Sequence, residues 1–221
     1  MLDTRFPRLP GDVGCPESFD PPAMVERVGG ARVADAVTES AHEPDLVAGF
    51  VTAARKLHRN GADLIVTSCG FLSPLQTALE AAVPVPVVSS VLVDLPLLRS
   101  GLEKDDEIGI LTFDSRKLGE DHLPAEFGPY RTAGLETGNE LYRVIAGDLP
   151  TMDHTAAMND ALTMAKLLIR QYSRVKLMVL ECTNLPPYQQ KIANSTGLQV
   201  YSIQDAVLNR IRMLVDPTLG G

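Results

Sequence analysis

Cysteine is scarce in this chain of 221 residues, with three, at positions 15, 69 and 182. So few, and odd in number, they do not make a disulfide framework. None stands in CxxC spacing and no histidine lies near one in a zinc pattern, which excludes the common structural zinc sites. Basic runs are also missing. The 20 Lys+Arg face 28 Asp+Glu for a formal net charge of −8, a poor match to nucleic acid. That balance still leaves room for a small anionic substrate, because the local field of a site can oppose the global one. No apolar run is long enough to span a bilayer, and the start lacks a secretory apolar core. Without that core, Asn194-Ser195-Thr196 means nothing as a glycosylation sequon, and the expected location is cytoplasmic. There is no GxGxxG and no P-loop. No lysine follows a strand as a pyridoxal phosphate Schiff base requires. The expectation is therefore no cofactor, no metal, no nucleic acid and no membrane.

What is present is an ordinary globular composition, 45% hydrophobic and 22% charged with a mean hydropathy near zero. The length suits one large domain or two small lobes. Strand-like and helix-like periods alternate. Strands are expected at 62–68, 85–89, 108–113, 130–135, 175–180 and 198–203. Helices are expected at 44–59, 71–82, 92–98, 153–172 with Asp153 as its cap, 187–195 and 205–215. Such alternation implies parallel sheets with helices on both faces. The opening is unusual. Met1-Leu2-Asp3 runs directly into the Pro/Gly loop RFPRLPGDVG, so either the first strand is short or residues lie upstream of Met1. Pro217 and the glycines after it read as an unpaired tail.

The chain also repeats itself. Shifted by 113 positions, the separation of Cys69 and Cys182, LIVTSCGFLSPLQ from Leu64 falls on LMVLECTNLPPYQ from Leu177. Cys, Pro74/Pro187 and Gln76/Gln189 coincide without a gap, as do Val87/Val200 and Ser89/Ser202. Generic strand–helix units explain matching leucines and valines, but less well Cys, Pro and Gln in register. The pattern therefore reads as two pseudo-symmetric α/β lobes of Rossmann-like, flavodoxin-like type. Their expected extents are 1–98 plus 204–221, and 99–203.

Ligands of open α/β sheets bind beyond the carboxyl ends of strands, where both cysteines stand. Each is expected at the start of a helix, whose free N–H groups and partial charge would lower its thiol pKa. Two thiols facing each other across an inter-lobe cleft suit the removal of a proton from one face of a carbon and its return to the other. Ser68 and Thr67 before the first cysteine, and Thr183 and Asn184 after the second, are candidate donors for the charge that develops on the substrate carboxylate. A single cysteine ending a buried strand is more often a small core residue; it is the register that favours function. Arg5 and Arg8 lie in the opening loop with the right shape for a carboxylate, and Arg5 is taken as the ligand. Cys15, without a partner in the repeat, is expected to be incidental. His42, His58, His122 and His154 are expected on the surface.

The corners TSCGFL and ECTNLPPY resemble those of the aspartate/glutamate racemase superfamily. The resemblance runs over nearly the whole chain and includes the duplicated layout. It implies two α/β lobes with one catalytic cysteine each, Cys69 and Cys182, an active site between them, and no cofactor. It also implies that Asp3-Thr4 stands for the Asp-Ser closing the family's first strand. Thr112, ending IGILTF, with Ser115 just beyond it, stands for a hydroxyl residue of the second lobe's first loop. Cys182-Thr183 matches the family's Cys-Thr. Where racemases of free glutamate and aspartate carry Asn-Thr after the first cysteine, this chain has Gly70-Phe71. Glu181, before the second cysteine, would oppose a thiolate unless it points away.

The leading expectation is a racemase or epimerase of a small amino-acid or related carboxylate, working by two-cysteine proton transfer. By family analogy it is a homodimer. The same cysteines also serve a maleate-type cis–trans isomerase or a dimethylsulfoniopropionate-type lyase. A two-lobe binding protein without turnover and a redox pair of cysteines are the readings from other classes.

Overall fold

The computed structural model describes residues 1–138 and 140–216. The expected tail at 217–221 lies outside them. In chain order the helices are α1 (Val33–Ala36), α2 (Pro44–Arg59), α3 (Gln76–Glu80), α4 (Leu95–Ser100), α5 (Glu140–Ala146), α6 (His154–Gln171), α7 (Gln189–Thr196) and α8 (Ile203–Val215). The strands are β1 (Ile65–Val66), β2 (Val87–Val88), β3 (Glu107–Thr112), β4 (Tyr130–Gly134), β5 (Val175–Leu180) and β6 (Gln199–Ser202).

Every described strand pairing is parallel. One sheet has the order β4-β3-β5-β6 and the other holds β1 and β2. The apolar runs of β3 and β5 form the middle of the larger sheet, and all six residues of β3 are buried, as central parallel strands require. α6 covers one face with Ala157, Ala161, Met164, Ala165 and Leu168. Its Leu168 sits so close over Gly109 that a Cβ there would lie 2.8 Å from the leucine methyl. Asp153 caps this helix as expected, accepting from the N–H groups of Thr155 and Ala156.

The smaller sheet is shorter than its sequence suggests. The expected strands at 62–68 and 85–89 pair only at Ile65–Val66 and Val87–Val88. Pro84 and Pro86 have no N–H to extend the ladder. Leu2 adds a single parallel bridge to Val28. The expected helix at 71–82 is a 3-10 turn, Gly70–Leu75, followed by α3; Pro74 within it supplies no donor for an α-helical bond. Two helices were not anticipated. α1 has four residues, too few to show a period, and α5 has seven, bounded by Gly138 and Gly147.

The repeat has a structural cause. Gln76 donates to the carbonyl of Val87, and Gln189 donates to that of Val200, at 2.8 and 3.0 Å. Both members of each pair are 113 residues apart, so the glutamines pin each cysteine turn to the next strand in the same way. One apolar cluster joins the lobes, with Val88, Val91 and Leu95 meeting Ile108, Ile110, Val179 and Tyr201. α8 returns to pack on β2 and on the 3-10 turn Val91–Asp94. There, buried Asp94 accepts from Tyr201 Oη at 2.6 Å and pairs with Arg210. The histidines correct the sequence reading. His154 is exposed, but His42 and His122 are buried, His42 against the carbonyl of Ala36 and His122 edge-on to Phe71. An imidazole is mostly apolar surface, and packing can claim it.

Candidate active site

Cys69 stands three residues beyond the end of β1 and Cys182 two beyond that of β5. Both line one partly open cavity between the lobes, about 330 Å³ with the solvent space at its mouth. Thr183 ties the two corners directly, its Oγ1 donating to the carbonyl of Ser68 at 2.7 Å. Each sulfur accepts a backbone N–H from two residues ahead, Phe71 for Cys69 and Asn184 for Cys182. These two donors are again 113 positions apart. The Cys182 thiol also points to Asn184 Oδ1, at 3.8 Å.

The thiols are not depressed in pKa, contrary to the sequence expectation. Burial, followed by the nearby Glu181 carboxyl, pushes Cys69 up to about 12. The same two causes, in the same order, hold Cys182 well above the ordinary thiol value. The physical reason lies in the turns. Neither cysteine opens a long α-helix; Cys69 leads into a 3-10 turn and Cys182 precedes the turn Pro186–Tyr188 by several residues. One N–H per sulfur does not offset desolvation.

Glu181 points into the cavity, not away from it. It is fully buried. Its Oε2 accepts from Thr112 Oγ1 at 2.7 Å, and it takes a backbone N–H from Phe113. Its Oε1 has no partner among the described residues. Burial raises the group to about 7 despite those two hydrogen bonds. The carboxyl occupies the space beside Gly70, where a Cβ would lie 2.2 Å from Oε1 and 2.2 Å from the Glu181 carbonyl oxygen. Only glycine fits there.

Arg8 is the cavity's cation. Its Nη1 donates to both oxygens of Asp12 at 3.1 Å, its guanidinium stacks 4.5 Å from the centre of the Phe6 ring, and its Nε has no partner among the described residues. Asp12 is buried and also accepts from Asn184 Nδ2 and Gly14 N–H, at 2.6 and 2.7 Å. Burial is the largest influence on this carboxyl and raises its pKa; Arg8 opposes it. Arg8, Asp12 and Asn184 thus form one network that reaches from the opening loop to the Cys182 corner.

Of the residues singled out in the sequence, Ser68, Cys69, Gly70, Phe71, Cys182, Thr183 and Asn184 line the cavity. Asp3, Thr4, Arg5, Thr67, Thr112 and Ser115 lie outside its wall, Thr67 donating to the carbonyls of Ser89 and Cys69. Arg5 is on the surface, its side chain 75% exposed, paired with Asp148. Asp3 is exposed and accepts from Gly30 N–H. Thr4 is buried and its carbonyl takes Arg27. Thr112 lies behind Glu181. Ser115 is bound through its N–H and hydroxyl to Glu136. Cys15 is buried away from the cavity, with its thiol on Glu17. What the sequence reading missed is an apolar wall of Leu2, Phe6, Val33, Val37, Phe113 and Ile145. Its members come from separate segments that no local spacing connects. Val33, Val37 and Phe113 also line a wider outer groove of about 1080 Å³. Among the described residues there is no cluster of His, Cys, Asp and Glu that would hold a metal, and no helix is long and apolar enough to cross a membrane.

No protein-family model matches the chain. Among curated proteins it is similar to a dimethylsulfoniopropionate lyase from Durusdinium sp. clade D, 29% identical over 227 residues, 97% of this chain and 73% of that one. It is also similar to dimethylsulfoniopropionate lyase 7 from Emiliania huxleyi, 24% identical over 97% of this chain and 66% of that one. Among solved structures it resembles allantoin racemase from Pseudomonas fluorescens, with TM-score 0.55, 19% identity and coverage of 86% of this chain and 78% of that chain. An aspartate racemase homologue from Pyrococcus horikoshii gives TM-score 0.54, 18% identity and coverage of 78% and 75%. With two lobes of parallel sheet, a cysteine turn in each and these neighbours in common, the chain has the fold of the aspartate/glutamate racemase superfamily.

Proposed function

We propose that this chain is a cofactor-independent lyase that removes the α-proton of a small carboxylate and expels a β-substituent, with dimethylsulfoniopropionate as the substrate to try first. The carrying observation is the one cavity wall in which two thiols meet one cation, Arg8, and one half-paired carboxyl, Glu181. The names of the curated relatives support the choice of reaction. Arg8 receives the substrate carboxylate. Cys69 is the base, because Arg8 acts to lower its pKa, whereas Cys182 faces Asp12 and Cys69, which raise its own.

The step balances without a cofactor. The Cys69 thiolate takes the α-hydrogen as a proton. The C–H electron pair becomes the Cα–Cβ π bond, and the Cβ–S bond breaks with its pair remaining on sulfur. The products are dimethyl sulfide, acrylate and a proton that leaves through the thiol. Burial and Glu181 keep the thiols protonated at neutral pH, so a cationic substrate has a second role. A sulfonium beside Cys69 offsets Glu181 and favours the thiolate. Cys182 lines the same cavity and is available as a general acid.

Incubation with dimethylsulfoniopropionate should release dimethyl sulfide and acrylate in equal amounts. Cys69→Ser should lose roughly a thousandfold in kcat, within the range of positioned acid–base catalysis, and Cys182→Ser should be strongly impaired. Full activity in the Cys69 variant, or no sulfide from the wild type, overturns the reading. The matched N–H donors on the two sulfurs favour racemisation as a second reading. It predicts α-deuterium incorporation from deuterated water with loss of optical rotation in an amino acid, and no elimination product.

A further inference from the structure

We infer that Glu181 is a specificity residue that receives, at its free Oε1, the cationic substituent of a zwitterionic substrate. The inference deepens the proposed lyase and rests on it for the identity of the substituent; the geometry stands by itself.

The two cysteine corners are related by the repeat, but here they differ. Glu181 corresponds to Ser68, and Gly70 corresponds to Thr183. The differences form one feature, because the Glu181 carboxyl occupies the space that a side chain at position 70 would need. The result is a carboxyl fully buried in a cavity wall, anchored at Oε2 by Thr112 and unpartnered at Oε1. Leaving a buried acceptor unsatisfied is costly. A structural carboxyl would be paired at both oxygens; Oε1 of this one is left open beside Gly70. The one cation of the cavity, Arg8, is engaged by Asp12. A zwitterion with its carboxylate on Arg8 and its cation on Glu181 completes both groups. The apolar wall accommodates the methyl groups of an onium ion.

The ionisable groups around Glu181 are Cys69 on the facing turn, Cys182 on its own segment and Arg8 in the opening loop. Beyond them, the Met1 amino group acts on Cys69 and Asp12 acts on Cys182. Of these, burial raises Glu181 to about 7 and lowers the Met1 amino group to about 6, so both change charge near neutrality. Cation recognition therefore strengthens as pH rises through neutrality.

Two unreactive probes of the same shape isolate the charge. In 3-(trimethylammonio)propanoate the quaternary centre is nitrogen, and in 4,4-dimethylpentanoate it is carbon. Calorimetric titration of the wild type at pH 8 should show the ammonium compound binding at least tenfold more tightly, the least that a charge-assisted contact is worth. Glu181→Gln should bring the ratio to about one. In the wild type alone, the preference should shrink from pH 8 to pH 6, and equally so after the Met1 amine is acetylated, which keeps the test decisive if the variant does not fold. An equal affinity for both probes, binding of neither, or a preference that survives in Glu181→Gln overturns the inference. If the wild type shows the preference but releases no dimethyl sulfide, the lyase reading fails and the cation site stands. If it releases dimethyl sulfide and Glu181→Gln keeps the preference, the lyase stands and the role of Glu181 falls.

Discussion

Arg5 and Arg8 have the same chemistry and lie in the same Pro/Gly loop, yet the fold separates them completely. Arg5 turns outward to Asp148, whose backbone at φ 47° lets its carboxylate meet the N–H groups of Arg5 and Phe6. Arg8 turns inward, its side chain 9% exposed, between Phe6 and Asp12. Arg8→Gln should raise KM by about 10- to 100-fold, the loss of one charge-assisted carboxylate contact. Arg5→Gln should leave KM unchanged, since an exposed ion pair contributes little. Steady-state kinetics on the two variants gives the comparison. No spacing in the loop distinguishes these arginines in advance; the choice is made by Asp12 and Asp148, far apart in sequence. Glu181 is the opposite case. Its position beside Cys182 was conspicuous in the sequence, but its direction was not, because that depends on the missing side chain at Gly70.

At the scale of elements, most of the architecture was legible. α2 and β5 fall on their expected bounds, and α6 begins at its Asp153 cap, because long runs carry a clear period and a clear stop. What was not legible is the character of the cysteine turns. The sequence reads as helix after Cys69, and a helix N-terminus would have depressed the thiol; the 3-10 turn around Pro74 removes that effect. The glutamine staples are what hold these turns. Gln76 donates to Val87 and accepts from Ser89 N–H at 2.8 Å each. Gln76→Ala should therefore destabilise the fold by about 2 kcal/mol, two ordinary hydrogen bonds, visible as a lower urea midpoint at unchanged slope. The same substitution at Gln189, which binds Val200 and Asp205, should cost a similar amount.

For the molecule as a whole, the lobes must stay in register for two thiols from distant segments to share one cavity. The shared apolar cluster and the buried Asp94–Tyr201–Arg210 group do this on the side where α8 returns. Asp94→Ala leaves a buried hydroxyl and a guanidinium without their acceptor, and should cost about 3 kcal/mol. Thermal unfolding would show it, with kcat little changed at temperatures where the variant is folded, because Asp94 is not in the cavity wall. The duplicated sequence announced two lobes but not this tie, whose members do not correspond under the repeat. The wall made by Val33, Val37 and Phe113 has a consequence of its own. Those side chains face the reaction chamber on one side and the outer groove on the other, so they act as a partition one side chain thick. Removing the bulk of any one of the three would join the two spaces into one.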